Sequence, residues 1–281
     1  MPVFAIVNRK GGSGKSTLAT QLAACLAHHG LGVMLGDLDR QASSLAWLRR
    51  RAAHRPPVVA ISGRVVDPRN TLHTPPGVSH LVLDTPGALH GFDLARTVMF
   101  ADALLMPVCH SAFDRESAAD CLAELRRHPR VVSGRCRVAA VGMRIDARTR
   151  GEQVLRDWAQ ARDLPFLGVL RETQIYVRCV ERGLAIFDLP PARVQTDLDQ
   201  WQPILAWLAP PSPGAPGEPA QRTHDTPAAA PARPAVPEPR ATDGASAPAR
   251  TPPGAASAPA HPRGFWGWLL PLRSLLQRSR H

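Results

Sequence analysis

The residues with chemistry in them stand close to the amino end of the chain. Asn8-Arg9-Lys10-Gly11-Gly12-Ser13-Gly14-Lys15-Ser16-Thr17 follows an apolar run, Val3 to Val7, and opens a helical pattern carried by Leu18, Leu22 and Leu26. A strand, a glycine loop and a helix in that order suit a phosphate chain. The glycines let main-chain N–H groups turn inward and approach closely, and the helix start adds its positive dipole end. Lys15 supplies a mobile cation and Ser16 a hydroxyl for Mg²⁺. The standard phosphate-loop spacing asks for Gly six residues before its Lys, where this chain has Arg9. What fits is the deviant form, Lys-Gly-Gly-x-Gly-Lys-Ser/Thr, with a second lysine at Lys10.

Lysine usage sharpens the point. Of 34 Lys and Arg residues only Lys10 and Lys15 are lysine, so arginine serves wherever a generic positive charge is needed. An ammonium is a compact point charge and a guanidinium a broad planar fork, so a narrow pocket around phosphate oxygens can take the first and reject the second.

Two acids are presented in the way such a loop requires. Gly32 to Leu38 reads as a strand ending in Asp37-Leu38-Asp39-Arg40-Gln41, and Ser79 to Leu83 as a strand ending in Asp84-Thr85-Pro86-Gly87. A carboxylate at the carboxyl end of a parallel strand faces the crevice where ligands bind, and an acid there beside a phosphate loop organises Mg²⁺.

The remaining pattern supplies the scaffold. Strands are expected at 58–61, 102–108, 137–145 and 165–170, and helices at 41–51, 116–127, 152–162, 174–182 and 194–208. Leu45 and Leu48 face inward and Trp47 sits at the flank. Residues 67–76 read as a Pro-rich loop or a single turn. Strands alternating with helices predict an α/β fold, a mostly parallel sheet with helices on both faces. Trp158, Trp201 and Trp207 recur at helical spacing and read as packing residues. The histidines show no metal-ligand spacing, and the five cysteines form no CxxC pair; they read as reduced core residues.

Composition divides the 281 residues near Pro210. Residues 1–209 read as one globular domain. From Pro210 to Pro262 more than half of the residues are Pro or Ala, with almost no large apolar side chain, and such a segment cannot bury enough surface to offset its ordering entropy. A disordered linker is expected over 210–263. Residues 264–281 are different. Phe265, Trp266, Trp268 and a leucine cluster end in Arg273, Arg278 and Arg280, the pattern of a short amphipathic docking segment for a membrane surface or a partner protein. Net charge is +11, with 26 basic against 19 acidic residues up to Ala209. A basic domain favours polyanions. The first strand begins almost at Met1 and no apolar run reaches the ~18 residues of a membrane span, so a cytoplasmic protein is expected.

Together the motifs resemble the ParA/MinD group of deviant Walker A ATPases, and within it the small ParA-type, ParF-like partition ATPases. The likeness is carried by Lys10 to Thr17, Asp37-x-Asp39-x-Gln41, Leu83-Asp84-Thr85-Pro86, Pro107-x-x-x-Ser111-x-x-Asp114 and Gln174-Ile175-Tyr176-Val177, and it spans Pro2 to about Leu208. Arg40 departs from it, since many relatives carry Pro after the second acid, which bears on the packing of the dimer face there.

The resemblance implies a P-loop NTPase fold and an ATP-bound homodimer in which Lys10 reaches the other subunit's phosphates. Gly11, Gly12, Ser13, Gly14, Lys15, Ser16 and Thr17 would hold the nucleotide. Ser16 would bind Mg²⁺, Asp84 would hold one of its waters, and Asp39 would position the attacking water. It further implies slow ATP hydrolysis stimulated by a ParB-like or adaptor partner, and non-specific DNA binding, for which Arg148, Arg150, Arg178 and Arg182 are the nominated residues. Such a protein positions or partitions a cargo on nucleoid DNA; the alternative is a MinD-like membrane-cycling ATPase anchored through residues 264–281. An iron-protein-type reductase needs cluster-ligating cysteines at the dimer axis, and nothing pairs Cys121 with such chemistry.

Overall fold

The computed structural model of the chain describes residues 1–62 and 74–209. Seven strands form one sheet: β1 (Val3–Ile6), β2 (Val33–Asp37), β3 (Val58–Ser62), β4 (His80–Asp84), β5 (Ala103–Val108), β6 (Arg137–Ile145) and β7 (Phe166–Arg171). Their order is β3-β2-β4-β1-β5-β6-β7 and every pairing is parallel. β1, β2, β4 and β5 are buried along their whole length. That is why they read as unbroken apolar runs, as expected of strands covered on both faces.

The two faces divide the side chains between two helical layers. Val3, Ala5 and Val7 share a core with Leu83, Leu104 and Met106, and this core is closed by Leu94 and Val98 of α3 (Gly91–Phe100), Cys121 and Leu122 of α4 (Ala112–Leu125), and Leu155 of α6 (Gly151–Gln160). On the other face α1 (Lys15–His28) packs across β1, β2 and β4, and meets α2 (Ser43–Arg50) and α7 (Gln174–Glu181). The last helix, α8 (Pro191–Leu208), lies against β7, and the short α5 (Pro129–Val132) against α3. The chain winds outward from β1 to β2 and β3 in one direction and through β5, β6 and β7 in the other. The reversal falls at β1, where an open parallel sheet leaves its crevice.

Several boundaries differ from the sequence expectation, each for a local reason. The helix expected from Gln41 begins at Ser43, because Gln41 N–H bonds back to Asp39 Oδ1 at 2.9 Å and Ala42 adopts φ +50°. Within it Trp47 is fully buried rather than at the flank, with its Nε1 donating to Leu184 O at 2.9 Å, while Leu45 and Leu48 are half-buried. Helix α4 starts at Ala112, four residues early, because the Ser111 hydroxyl caps it by accepting Asp114 N–H. Helix α3 has no counterpart in the sequence reading. Only Leu94, Thr97 and Val98 are buried on it, while the large apolar Phe92 and Met99 face outward. Trp158 and Trp201 are buried as read and Trp207 is half-buried. All five cysteines are buried and unpaired.

The loop reading at 67–76 falls mostly outside the described residues, as do the linker reading at 210–263 and the docking-segment reading at 264–281. Among the described residues no helix is long and apolar enough to cross a membrane, and no group of three or more His, Cys, Asp or Glu could hold a metal ion.

Candidate functional site

The phosphate-type loop sits at the carboxyl end of β1. Buried Asn8 pins it. Its Nδ2 donates to Pro107 O at 2.7 Å at the end of β5, and its Oδ1 accepts Lys10 N–H at 3.1 Å. Gly12 and Gly14 have φ +73° and +94°, a region that glycine enters freely. At Gly14 the positive φ disfavours a side chain, and a Cβ there would lie 2.8 Å from Met143 Cε, so that methyl would have to move. Gly14 O then accepts Leu18 N–H at 2.9 Å and α1 begins. Lys15 is buried, and its Nζ turns back to Lys10 O at 3.1 Å. Burial lowers its pKa, and the carboxylates of Asp84 and Asp39 oppose that shift. Both acids therefore stand near the same ammonium.

Asp84 is fully buried at the end of β4, in register with Ile6 and with Asp37. Ser44 Oγ donates to its Oδ2 at 2.7 Å. The Ser16 hydroxyl faces the same carboxyl, yet Oδ1 has no partner in hydrogen-bonding geometry among the described residues. Burial pushes the Asp84 pKa up to about 6, with Asp37 adding to the rise and Ser44, Ser16 and Lys15 opposing it. Asp37 itself serves the backbone. Its two oxygens accept Asp39 N–H at 3.1 Å and Leu45 N–H at 3.0 Å, which fixes the turn that carries Asp39. Asp39 is half-buried and lines a cleft of about 470 Å³ with Arg40, Pro86 and Gly87.

Lys10 points elsewhere. Its Nζ lies 2.7 Å from Asp114 Oδ1 at the start of α4, where Ser111 holds the other oxygen. Next to it Arg9 pairs with Glu124 in the last turn of α4, whose Oε1 accepts Gly91 N–H at 2.6 Å, so the loop is also tied to the end of α4 and, through it, to the start of α3. On the far side of Gly14 a cavity of about 340 Å³ opens, lined by Thr17, Met143, Arg144, Glu172 and Gln174.

The donor set fits a polyphosphate with a divalent cation. Among the described residues a buried Asp84 carboxylate oxygen and a buried Ser13 hydroxyl are without partners, and Asp84 stands near the buried Lys15 ammonium. Each of these would be costly unless another group completed it.

The four nominated arginines fall in two places. Arg148 and Arg150 sit in the turn between β6 and α6, and Arg148 is committed to Asp146 through Nε at 3.0 Å and Nη2 at 2.7 Å. Arg178 and Arg182 lie one helical turn apart at the end of α7. With Arg150 they are exposed and form no salt bridge among the described residues. Sequence reasoning missed Ser44, Arg144 and the part played by Asn8. The first two act across the fold with no local signal, whereas Asn8 stands inside the loop and only its role was hidden.

A parallel sheet wound two ways from a strand that carries a glycine loop into a helix is the P-loop NTPase fold. The chain belongs to the CobQ/CobB/MinD/ParA nucleotide-binding domain family, whose model matches residues 4–186. It is 32% identical over 188 residues to the maintenance of carboxysome distribution protein A of Gloeobacter kilaueensis, covering 66% of this chain and 83% of that relative. The structure of a Cyanothece McdA variant in complex with ATP aligns with a TM-score of 0.57 at 14% identity, over 73% of this chain and 96% of that one. The MinD cell division protein of Aquifex aeolicus gives 0.58 at 17% identity, over 73% and 98%. At such identities these two likenesses are of fold.

Proposed function

We propose that this protein is an ATP-dependent dimerising switch, a slow ATPase that positions or partitions a cargo on nucleoid DNA. The observation that carries the reading is the 32% identity, over most of its length, to a relative named for the distribution of carboxysomes. In this reading Lys15 and the loop N–H groups of Gly11 to Thr17 hold the phosphates, and Ser16 and Asp84 hold Mg²⁺, Asp84 through a water. Bound Mg²⁺ neutralises phosphate charge. Asp39, its carboxylate fixed by Gln41 N–H, orients water at the terminal phosphate. Lys10 leaves Asp114 and reaches the phosphates of a second copy, adding positive charge where negative charge develops in phosphoryl transfer. A ParB-like or adaptor partner sets the rate.

DNA supplies the matrix. The basic domain and the exposed pair Arg178 and Arg182 support this, with Arg150 a further contributor and Arg148 the weakest of the four because Asp146 already neutralises it. The test is retention on a DNA-coated surface. Wild-type protein with Mg²⁺-ATP should be held at low salt and released steeply as salt rises, and R178E/R182E should be released earlier while still forming the ATP dimer. Absence of ATP-dependent retention at low salt would remove DNA from the function.

The aromatic and basic run at 264–281 favours a second anchor, on anionic lipid or a partner protein, at the end of the linker proposed for 210–263. Deleting Gly264 to His281 should abolish any ATP-dependent pelleting with anionic liposomes. Pelleting that persists in the deletion would place the membrane contact elsewhere, and none in the full chain would leave a protein partner.

A further inference from the structure

We infer that Arg144 is a positioning residue for the phosphate loop, holding the Gly12–Ser13 peptide in the orientation that binds the nucleotide's phosphates. The inference rests on the nucleotide reading above. Three observations carry it. β6 and β7 pair with Met143 opposite Leu170 and resume with Ile145 opposite Arg171, so Arg144 is the extra residue of a bulge. Its φ is +53°, a left-handed value uncommon for a residue with a Cβ. Its Nη2 donates to Gly12 O at 2.8 Å and lies 3.9 Å from Cys109 Sγ.

Bulges re-aim side chains beside functional sites. Here the re-aimed guanidinium spans from the carboxyl end of β6 to the loop. The guanidinium adds a charge-assisted bond to a loop carbonyl.

The consequence follows from peptide planarity. In a trans peptide the C=O of one residue and the N–H of the next point in opposite directions. A donor that holds Gly12 O on the Arg144 side therefore turns Ser13 N–H to the opposite side, which is how one N–H of an inward-facing cradle would be set. Gly12, at φ +73°, has the freedom to flip if nothing holds it. Arg144 also lines, with Thr17, the cavity on the far side of Gly14.

Arg144→Gly separates this role from a merely structural one, because glycine accepts φ +53° without strain. The variant should melt no lower than wild type, bind a fluorescent ATP analogue about tenfold more weakly, and show faster amide hydrogen exchange in the peptide covering residues 9–15 without nucleotide. Arg144→Asn, which tolerates the same backbone but is too short to reach Gly12, should behave alike, and Arg144→Lys should recover part of the affinity. Unchanged loop exchange in both short variants, or a loss of affinity matched by a lower melting temperature, would overturn the assignment. If wild-type protein bound no nucleotide, the nucleotide reading would fail, and the exchange measurement would still decide whether Arg144 holds the loop.

Discussion

Lys10 and Asp114 form a salt bridge at 2.7 Å within a single chain, with the lysine side chain one-third exposed. A lysine that serves a second subunit has to leave this partner first. Asp114→Asn keeps the capped start of α4 and removes the competing charge. A partly exposed pair of this kind is worth ~0.2–1 kcal/mol and each dimer breaks two, so the ATP dimer should form at a protein concentration up to about thirtyfold lower. Sedimentation across a concentration series checks it; a weaker dimer would mean that Asp114 works in the dimer rather than against it.

Lys15 is held at a cost. Its pKa is lowered by burial, so at neutral pH the charged side chain destabilises the ligand-free fold. Lys15→Ala should therefore abolish nucleotide binding while leaving the melting temperature unchanged or slightly higher. Thermal shift with and without Mg²⁺-ATP reads both effects at once. A variant that melts well below wild type would show that the bond to Lys10 O supports the loop more than the charge costs.

Asp84 makes the site pH-dependent. With its pKa raised from 3.8 to about 6, the folded protein binds more protons than the unfolded chain between those values, so stability falls as pH rises through that window, by up to ~3 kcal/mol. A cation at the site favours the ionised form and works in the opposite sense. Affinity for Mg²⁺-nucleotide should rise from pH 5 to about 7 and then level off. Ser44→Ala removes a bond that lowers this pKa, so the midpoint should move upward. Titration calorimetry at several pH values decides it, and a flat profile would exclude Asp84 from the metal shell.

Asp39 is fixed by the Gln41 N–H and half-exposed in its cleft, suited to orient water rather than to hold phosphate. Asp39→Ala should retain ATP binding and dimerisation and lose turnover by about a hundredfold or more, the range typical of a positioned base. Turnover at or above the wild-type rate in a steady-state phosphate-release assay would remove it from that role.

What the sequence made legible was local. Val3 to Thr17 is a contiguous run in which strand, loop and helix each carry their own signal, and the ends of β2 and β4 announce themselves because buried parallel strands are unbroken apolar runs. The rest depends on distant partners. Ser44 meets Asp84 across forty residues of sequence, and nothing near either shows the bond. The bulge at Arg144 exists only in the pairing of β6 with β7. Trp47 looked peripheral because its buried partner, Leu184 O, arrives from the other end of the domain. Helix α3 was invisible because its outward face carries Phe92 and Met99, which blur the polar side of the pattern.

The central claim is that ATP, held by this loop, joins two copies through Lys10. Sedimentation velocity in Mg²⁺-ATP and in Mg²⁺-ADP tests it most directly, with wild type beside Lys10→Ala. The account predicts a dimer for wild type in ATP alone, and a monomer for Lys10→Ala that still binds ATP. A wild-type sedimentation coefficient indifferent to nucleotide, or a Lys10→Ala protein that dimerises as wild type does, would contradict it.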